Sequence, residues 1–199
     1  MKNTLAEHDK TLLSDGLICG IDEAGRGCVA GPLVVAAVVF DTKRIPEYLA
    51  VDDSKKLTSS QRERLFESIL KYAMDYSVGV AGSRRIDREG VTKATVYAIQ
   101  SAYRKLKIQP NLVIIDGKLG IKLQGSDTIC MVKGDATSFA VASASIVAKV
   151  VRDRIMRKYH KVYPVYNFAK HKGYPTREHK LAVLEYGYSP VHRKSYRFL

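Results

Sequence analysis

Acidic residues are in short supply in this 199-residue chain, cysteines are few, and its apolar runs are short. Cys19, Cys28 and Cys130 form an odd set with no C-x-x-C spacing, which argues against a disulfide-stapled scaffold and predicts a reducing compartment, the cytoplasm. The apolar run from Val29 to Phe40 is too short to span a bilayer, so no membrane partner is expected. The polar, acid-bearing start MKNTLAEHDKTLLSDG resembles neither a signal nor a transit peptide. Internal repeats, heptad arrays and low-complexity tracts are also missing, which excludes solenoids and coiled coils. What is present is a hydrophobic fraction of 46%, enough for one proper core. The 33 Lys and Arg against 20 Asp and Glu leave a net charge of +13. Such an excess predicts a polyanionic partner, nucleic acid before an anionic membrane surface. It is unevenly spread: residues 149–199 hold 13 basic and 3 acidic residues, while residues 1–148 are nearly balanced.

Periodicity sets out an alternation of strands and helices. After a polar tail (1–15), Leu17 to Ile21 reads as a buried strand, followed by the turn Gly25-Arg26-Gly27 and a second strand from Pro32 to Phe40, close enough to pair antiparallel. Leu65, Ile69 and Tyr72 keep helical phase between Ser59 and Met74, and Tyr76 to Ala81 reads as a third strand. A helix from Val91 is closed off before Pro110, and Leu112 to Ile115 is the continuous apolar run of a strand covered on both faces. Thr128 to Val132 supplies a fifth strand. The longest helix is expected from Ala136 to about Tyr159, and a short one from Thr176 to about Tyr186 among loops.

The chemical signal is carried by acids at strand ends. Asp22 and Glu23 follow the first strand, Asp116 follows the fourth, and Asp135 stands between the fifth strand and the long helix. Residues just past the C-terminal ends of neighbouring parallel strands converge on one crevice. Clustered carboxylates there would call for hard divalent cations. Alternation along a regular strand would send Asp22 and Glu23 to opposite faces, so the glycines that follow predict a turn or bulge. Taken singly, an acid at a strand end reads as a solvated turn residue, and Asp135 before Ala136-Thr137-Ser138 reads as a helix N-cap. The residues alone leave both readings open.

Several blocks in order resemble a known family: Gly20-Ile-Asp-Glu-Ala-Gly-Arg-Gly27 with Gly31-Pro32, Asp53-Ser-Lys-Lys-Leu57, Ile115-Asp-Gly117, Lys133-Gly-Asp135, Ala142-Ser-Ala-Ser-Ile-Val-Ala-Lys149 with Arg152-Asp153, and His171-Lys-Gly-Tyr-Pro175 with Glu178-His179. From about Gly16 to His192 the chain resembles bacterial ribonuclease HII. The resemblance implies an α/β RNase H-like fold, a five-stranded mixed sheet flanked by helices, with a catalytic domain over 16–159 and a small helical substrate-binding segment over 160–199.

The implied activity is hydrolysis of the RNA strand of RNA/DNA hybrids and incision 5′ of single ribonucleotides embedded in duplex DNA. Cleavage would leave 3′-hydroxyl and 5′-phosphate ends and serve the removal of misincorporated ribonucleotides. Asp22, Glu23, Asp116 and Asp135 match the family's catalytic acids, which bind Mg²⁺ or Mn²⁺ for two-metal-ion catalysis. Gly25, Arg26 and Gly27 match the loop whose main chain contacts the ribose 2′-hydroxyl. Tyr174 matches the tyrosine that packs on the deoxyribose after the ribonucleotide, and Lys172, Arg177, Lys180, Arg193, Lys194 and Arg197 are candidates for phosphate contact.

Other features receive plainer readings. Asp153 is expected in a structural ion pair beside Arg152. His171 and His179 lack the spacing of a zinc pair, and His192 is assigned to packing. Gly90 stands where the family usually has Asn. The closing Ser-Tyr-Arg-Phe-Leu199 lacks a glutamine-led sliding-clamp motif, no extra domain precedes Asp22 as in ribonuclease HIII, and a monomer is the default. The competing readings are a catalytically silent nucleic-acid-binding protein that keeps the fold, and another RNase H-like nuclease such as a resolvase.

Overall fold

The structure is a computed structural model, and it describes residues 4–46, 49, 51 and 57–199. Residues 53–56 of the Asp53-Ser-Lys-Lys-Leu57 block lie outside the described residues. A five-stranded mixed sheet organises the chain, in the order β3-β2-β1-β4-β5. Strand β1 (Leu17–Ala24) runs antiparallel to β2 (Leu33–Asp41), which is antiparallel to β3 (Asp75–Ala81). On its other side β1 is parallel to β4 (Leu112–Asp116), itself parallel to β5 (Asp127–Met131). The central strands β2, β1 and β4 are the continuous apolar runs because both of their faces are covered.

One face is covered by α5 (Phe139–Val162), whose Ala140, Ala144, Val147 and Ala148 are fully buried. The close approach requires Gly20 in β1: a Cβ there would stand 2.0 Å from the backbone carbon of Ala140. Helix α2 (Ser59–Tyr72) packs on this side too, opened by a capping box between Thr58 and Gln61. The opposite face carries α4 (Val91–Arg104), preceded by α3 (Ser83–Glu89), a short helix that periodicity had not marked. Beyond the sheet, α6 (Phe168–His171) and α7 (Arg177–Tyr186) enclose a third small core of Ala30, Met156, Tyr166, Phe168, Ala182 and Val183.

Two expectations are corrected. The segment read as a polar tail contains a helix: α1 (Thr4–Leu12) docks on α5, where fully buried Asp9 accepts a hydrogen bond from Ala140 N at 2.9 Å. That contact lies 131 residues away along the chain, which is why local pattern could not show it. Nor is Asp135 the N-cap of α5. The cap is Ser138, whose Oγ accepts from Val141 N at 3.2 Å, and Asp135 sits in the preceding 3₁₀ turn at 134–136.

Candidate active site

The parallel pairing of β1 with β4 aligns Ile21 with Ile115, so Asp22 and Asp116 emerge side by side at the strand ends. No turn or bulge interrupts β1 at this point. Asp22 and Glu23 stay in regular register with Ala36 and Val35 of β2, through Ala24. Alternation therefore holds: Asp22 shares the α5 face with Gly20, and Glu23 shares the opposite face with Ile21. Glu23 lies beyond the last β1–β4 pair, Ile21 with Ile115, and lines the common pocket, where its carboxylate pairs with Arg26 at 3.5 Å. Asp135 is drawn in by its own turn, since Gly134 N donates to Asp116 Oδ1 at 2.8 Å.

All four acids line one pocket of about 280 Å³, together with Gly25, Arg26, Gly27 and Tyr174. The structure thus brings together the four acids, the glycine-arginine-glycine loop and Tyr174, and leaves Lys172 and the other phosphate-contact candidates outside this pocket. Lys172 lies in an adjoining depression with Arg62, Lys170 and Thr176, its ammonium donating to the Ala169 carbonyl. Lys149 and Tyr174 border both hollows. Sequence reasoning assigned no role to Ser145, Lys149 and Arg152, which also line the acid pocket. A signal was available: these are polar residues at i, i+4 and i+7 in the largely apolar first half of α5, and so on one face.

Burial pushes the Asp22 carboxyl well above the usual carboxylate range, and the neighbouring Glu23 and Asp116 charges push it further. Glu23 is raised by burial as well, with Arg26 opposing and Asp116 adding to the shift. In this side-chain arrangement no three or more His, Cys, Asp or Glu among the described residues form a ready metal-holding cluster. The donor set nevertheless fits a divalent ion. Four carboxylates on one pocket wall are hard oxygen donors, and the mutual repulsion that raises Asp22 is what a bound cation offsets.

The Gly25-Arg26-Gly27 loop shows two different glycines. Gly25 has φ +93°, and a Cβ on it would lie 2.0 Å from Arg152 Nε, so the fold itself demands glycine. A Cβ on exposed Gly27 would meet nothing within 4 Å, so the protein's own packing places no such demand. Tyr174 is 44% exposed beside this loop.

The sequence matches the family model described as Ribonuclease HII over residues 19–198. The chain belongs to the ribonuclease HII family. Among curated relatives, Ribonuclease HII of Borrelia recurrentis is 46% identical over 92% of this chain and 100% of its own length. That of Carboxydothermus hydrogenoformans is 50% identical over 94% of this chain and 81% of its own. Among solved structures, the ribonuclease H2 from Pyrococcus horikoshii superposes with a TM-score of 0.79 at 29% identity, over 92% of this chain and 94% of that one. A ribonuclease HIII crystallised in complex with Mn²⁺ shares the fold, with a TM-score of 0.66 at 22% identity over 94% of this chain and 67% of that one. The protein is accordingly a ribonuclease H acting on nucleic acid, from a divalent-metal-dependent family.

Several surrounding predictions can now be placed. Asp153 does form an ion pair, but with Lys149 at 2.6 Å, one turn earlier on α5; the Arg152 guanidinium instead donates to the Pro32 and Ala30 carbonyls. Arg193 is fully buried and is therefore no surface phosphate contact, whereas Arg177, Lys180, Lys194 and Arg197 are exposed. His171 and His179 stack at 4.3 Å between ring centroids, and His179 shares an Nε2 to Nε2 hydrogen bond of 2.9 Å with His192. The three rings form the packed heart of the C-terminal segment. All three cysteines are free, and among the described residues no helix is long and apolar enough to cross a membrane.

Proposed function

We propose that this protein hydrolyses the RNA strand of RNA/DNA hybrids and cuts duplex DNA on the 5′ side of a single embedded ribonucleotide, leaving 3′-hydroxyl and 5′-phosphate ends. One observation carries the reading: the four carboxylates, the Gly25-Arg26-Gly27 loop and Tyr174 line the same pocket. Asp22, Glu23, Asp116 and Asp135 would hold Mg²⁺ or Mn²⁺. The chemistry such ions supply is activation of the attacking water and stabilisation of charge on the departing 3′ oxygen.

The chain's own residues do the rest. The loop main chain reads the 2′-hydroxyl, the group that distinguishes RNA from DNA at one position. Tyr174 offers a half-exposed ring to the sugar that follows, and Lys149 stands between the two hollows where the backbone phosphates pass. Lys172 belongs to the second hollow and serves the neighbouring phosphate rather than the cut. The segment 160–199 acts as the substrate-binding part and 16–159 as the catalytic part. We place the activity in the cytoplasm, with the protein as a monomer.

The test uses three duplexes: DNA with one ribonucleotide, all-DNA, and an RNA/DNA hybrid, each with Mg²⁺, Mn²⁺ or EDTA. Metal-dependent incision of the first and third is expected, with the all-DNA duplex intact. Binding without incision under both metals would leave a silent nucleic-acid binder instead. Asp116→Asn should abolish cleavage and retain binding.

A further inference from the structure

The Gly25-Arg26-Gly27 loop is held from beneath by the last residues of the chain. Arg193, fully buried, donates from Nη1 to the Arg26 carbonyl at 2.9 Å and from Nε to the Gly31 carbonyl at 3.0 Å. Tyr196 Oη donates to the same Arg26 carbonyl at 2.7 Å, and Arg193 Nη1 lies 3.2 Å from that hydroxyl. Two donors therefore converge on one carbonyl oxygen. The strand of chain is also fixed by Arg193 N, which donates to Val29 O at 2.8 Å. From the other side Asp87 of α3 accepts from Lys194 N, Ser195 N and Ser195 Oγ at 2.7–3.1 Å, which pins the turn that presents Tyr196.

The carbonyl so held belongs to the peptide unit whose other end is Gly27 N–H. In a trans peptide these two groups point in opposite directions across one rigid plane, and there is no cis bond among the described residues. Anchoring Arg26 O inward thus fixes Gly27 N–H outward, on an exposed residue of the acid pocket's rim. A Cβ built on Gly27 would likewise meet nothing within 4 Å.

We infer that Arg193 and Tyr196 are positioning residues for ribose recognition, setting the plane of the Arg26–Gly27 peptide and with it the direction of the donor that meets the 2′-oxygen. This rests on the function proposed above. It gives Arg193, fully buried, a role that its place in a basic tail does not suggest. It also ties discrimination between sugars to a part of the chain 167 residues further on.

Two quantities measured in one Mg²⁺ buffer test the inference: kcat/KM on the single-ribonucleotide duplex, and Ki of the all-DNA duplex as a competitor. Tyr196→Phe removes one hydroxyl and is expected to lower kcat/KM about threefold to tenfold, the span of one hydrogen bond. Ki and the melting temperature should stay at the wild-type values. Arg193→Lys should lower kcat/KM further, with Ki again unchanged. A Tyr196→Phe enzyme that loses less than threefold, or whose Ki weakens in parallel, overturns the inference. A wild-type enzyme that does not cut the ribonucleotide duplex at all overturns the proposed function instead.

Discussion

Gly25 and Gly27 stand two residues apart in one loop and answer to different demands. Gly25 combines a positive φ with the guanidinium of Arg152 where a Cβ would be, so Gly25→Ala forces either the loop or a buried arginine to move. We expect a cost of about 1–3 kcal/mol, seen as a fall of roughly 2–4 °C in melting temperature per kcal/mol. Gly27→Ala should leave the melting temperature within about 1–2 °C. Its methyl would occupy open space on the substrate's side, so ribonucleotide incision should fall at least about tenfold. Equal melting losses in the two variants would contradict this division. Asp22 makes the complementary case. Burial and two neighbouring carboxylates raise its folded pKa, so stability present below its unfolded value is lost as pH rises. Asp22→Asn removes that loss. In EDTA at neutral pH it should melt higher than wild type while cleavage disappears, and a lower melting point would mean the charge is already compensated.

At the level of elements, the C-terminal segment and α1 are predicted to respond to acid with opposite signs. Partners fix the imidazole tautomers: His179 Nδ1 donates to Tyr174 O at 2.9 Å, which leaves its Nε2 to accept, while His192 Nδ1 accepts from Ser189 N and so its Nε2 donates. This chain of bonds requires both rings neutral, and burial lowers each to about 4. Folded pKa values below 6.5 mean that stability present above pH 6.5 is lost as pH falls towards 4. Asp9 behaves inversely. Burial raises it to about 6, so the docking of α1 gains as pH falls from 6 towards 3.8. Hydrogen-exchange protection factors between pH 6.5 and 4 should decrease over 168–193 and increase over 4–12; a uniform change across the molecule would show that these groups do not act locally.

The same elements show how much could be read from sequence. The strands and the helices at 59–72, 91–104 and 139–162 follow from periodicity, because each buries a face against the sheet. The apolar runs ending in acids point to a shared crevice only on condition that β1 and β4 are parallel neighbours, and the structure supplies that pairing. What stayed hidden depends on tertiary contacts: the α1 helix held through Asp9, the 3₁₀ turn tied to Asp116 that leaves the α5 cap to Ser138, and the histidine cluster assembled from α6, α7 and the segment after them. Arg193 reads as a surface cation because charge is visible in a sequence and burial is not.

Across the whole molecule the +13 charge divides into two functions. The nearly balanced first 148 residues carry the four acids, whose field would repel a phosphate backbone unless cations intervene. The 13 basic residues of the last 51 are not all available for the opposite task, since Arg152 and Arg193 are buried against carbonyl oxygens. Exposed Arg177 and Lys180, on the first turn of α7, remain free of that internal work. If they neutralise phosphates, each releases condensed counterions on binding, and the slope of log K against log salt falls by about 0.9 in magnitude for each contact removed. Arg177→Gln and Lys180→Gln should therefore each flatten the salt dependence of RNA/DNA hybrid binding by about that amount, with kcat at saturating substrate and the melting temperature unchanged. An unaltered slope in both variants would move the phosphate track off α7 and towards the Lys149, Lys170 and Lys172 hollow.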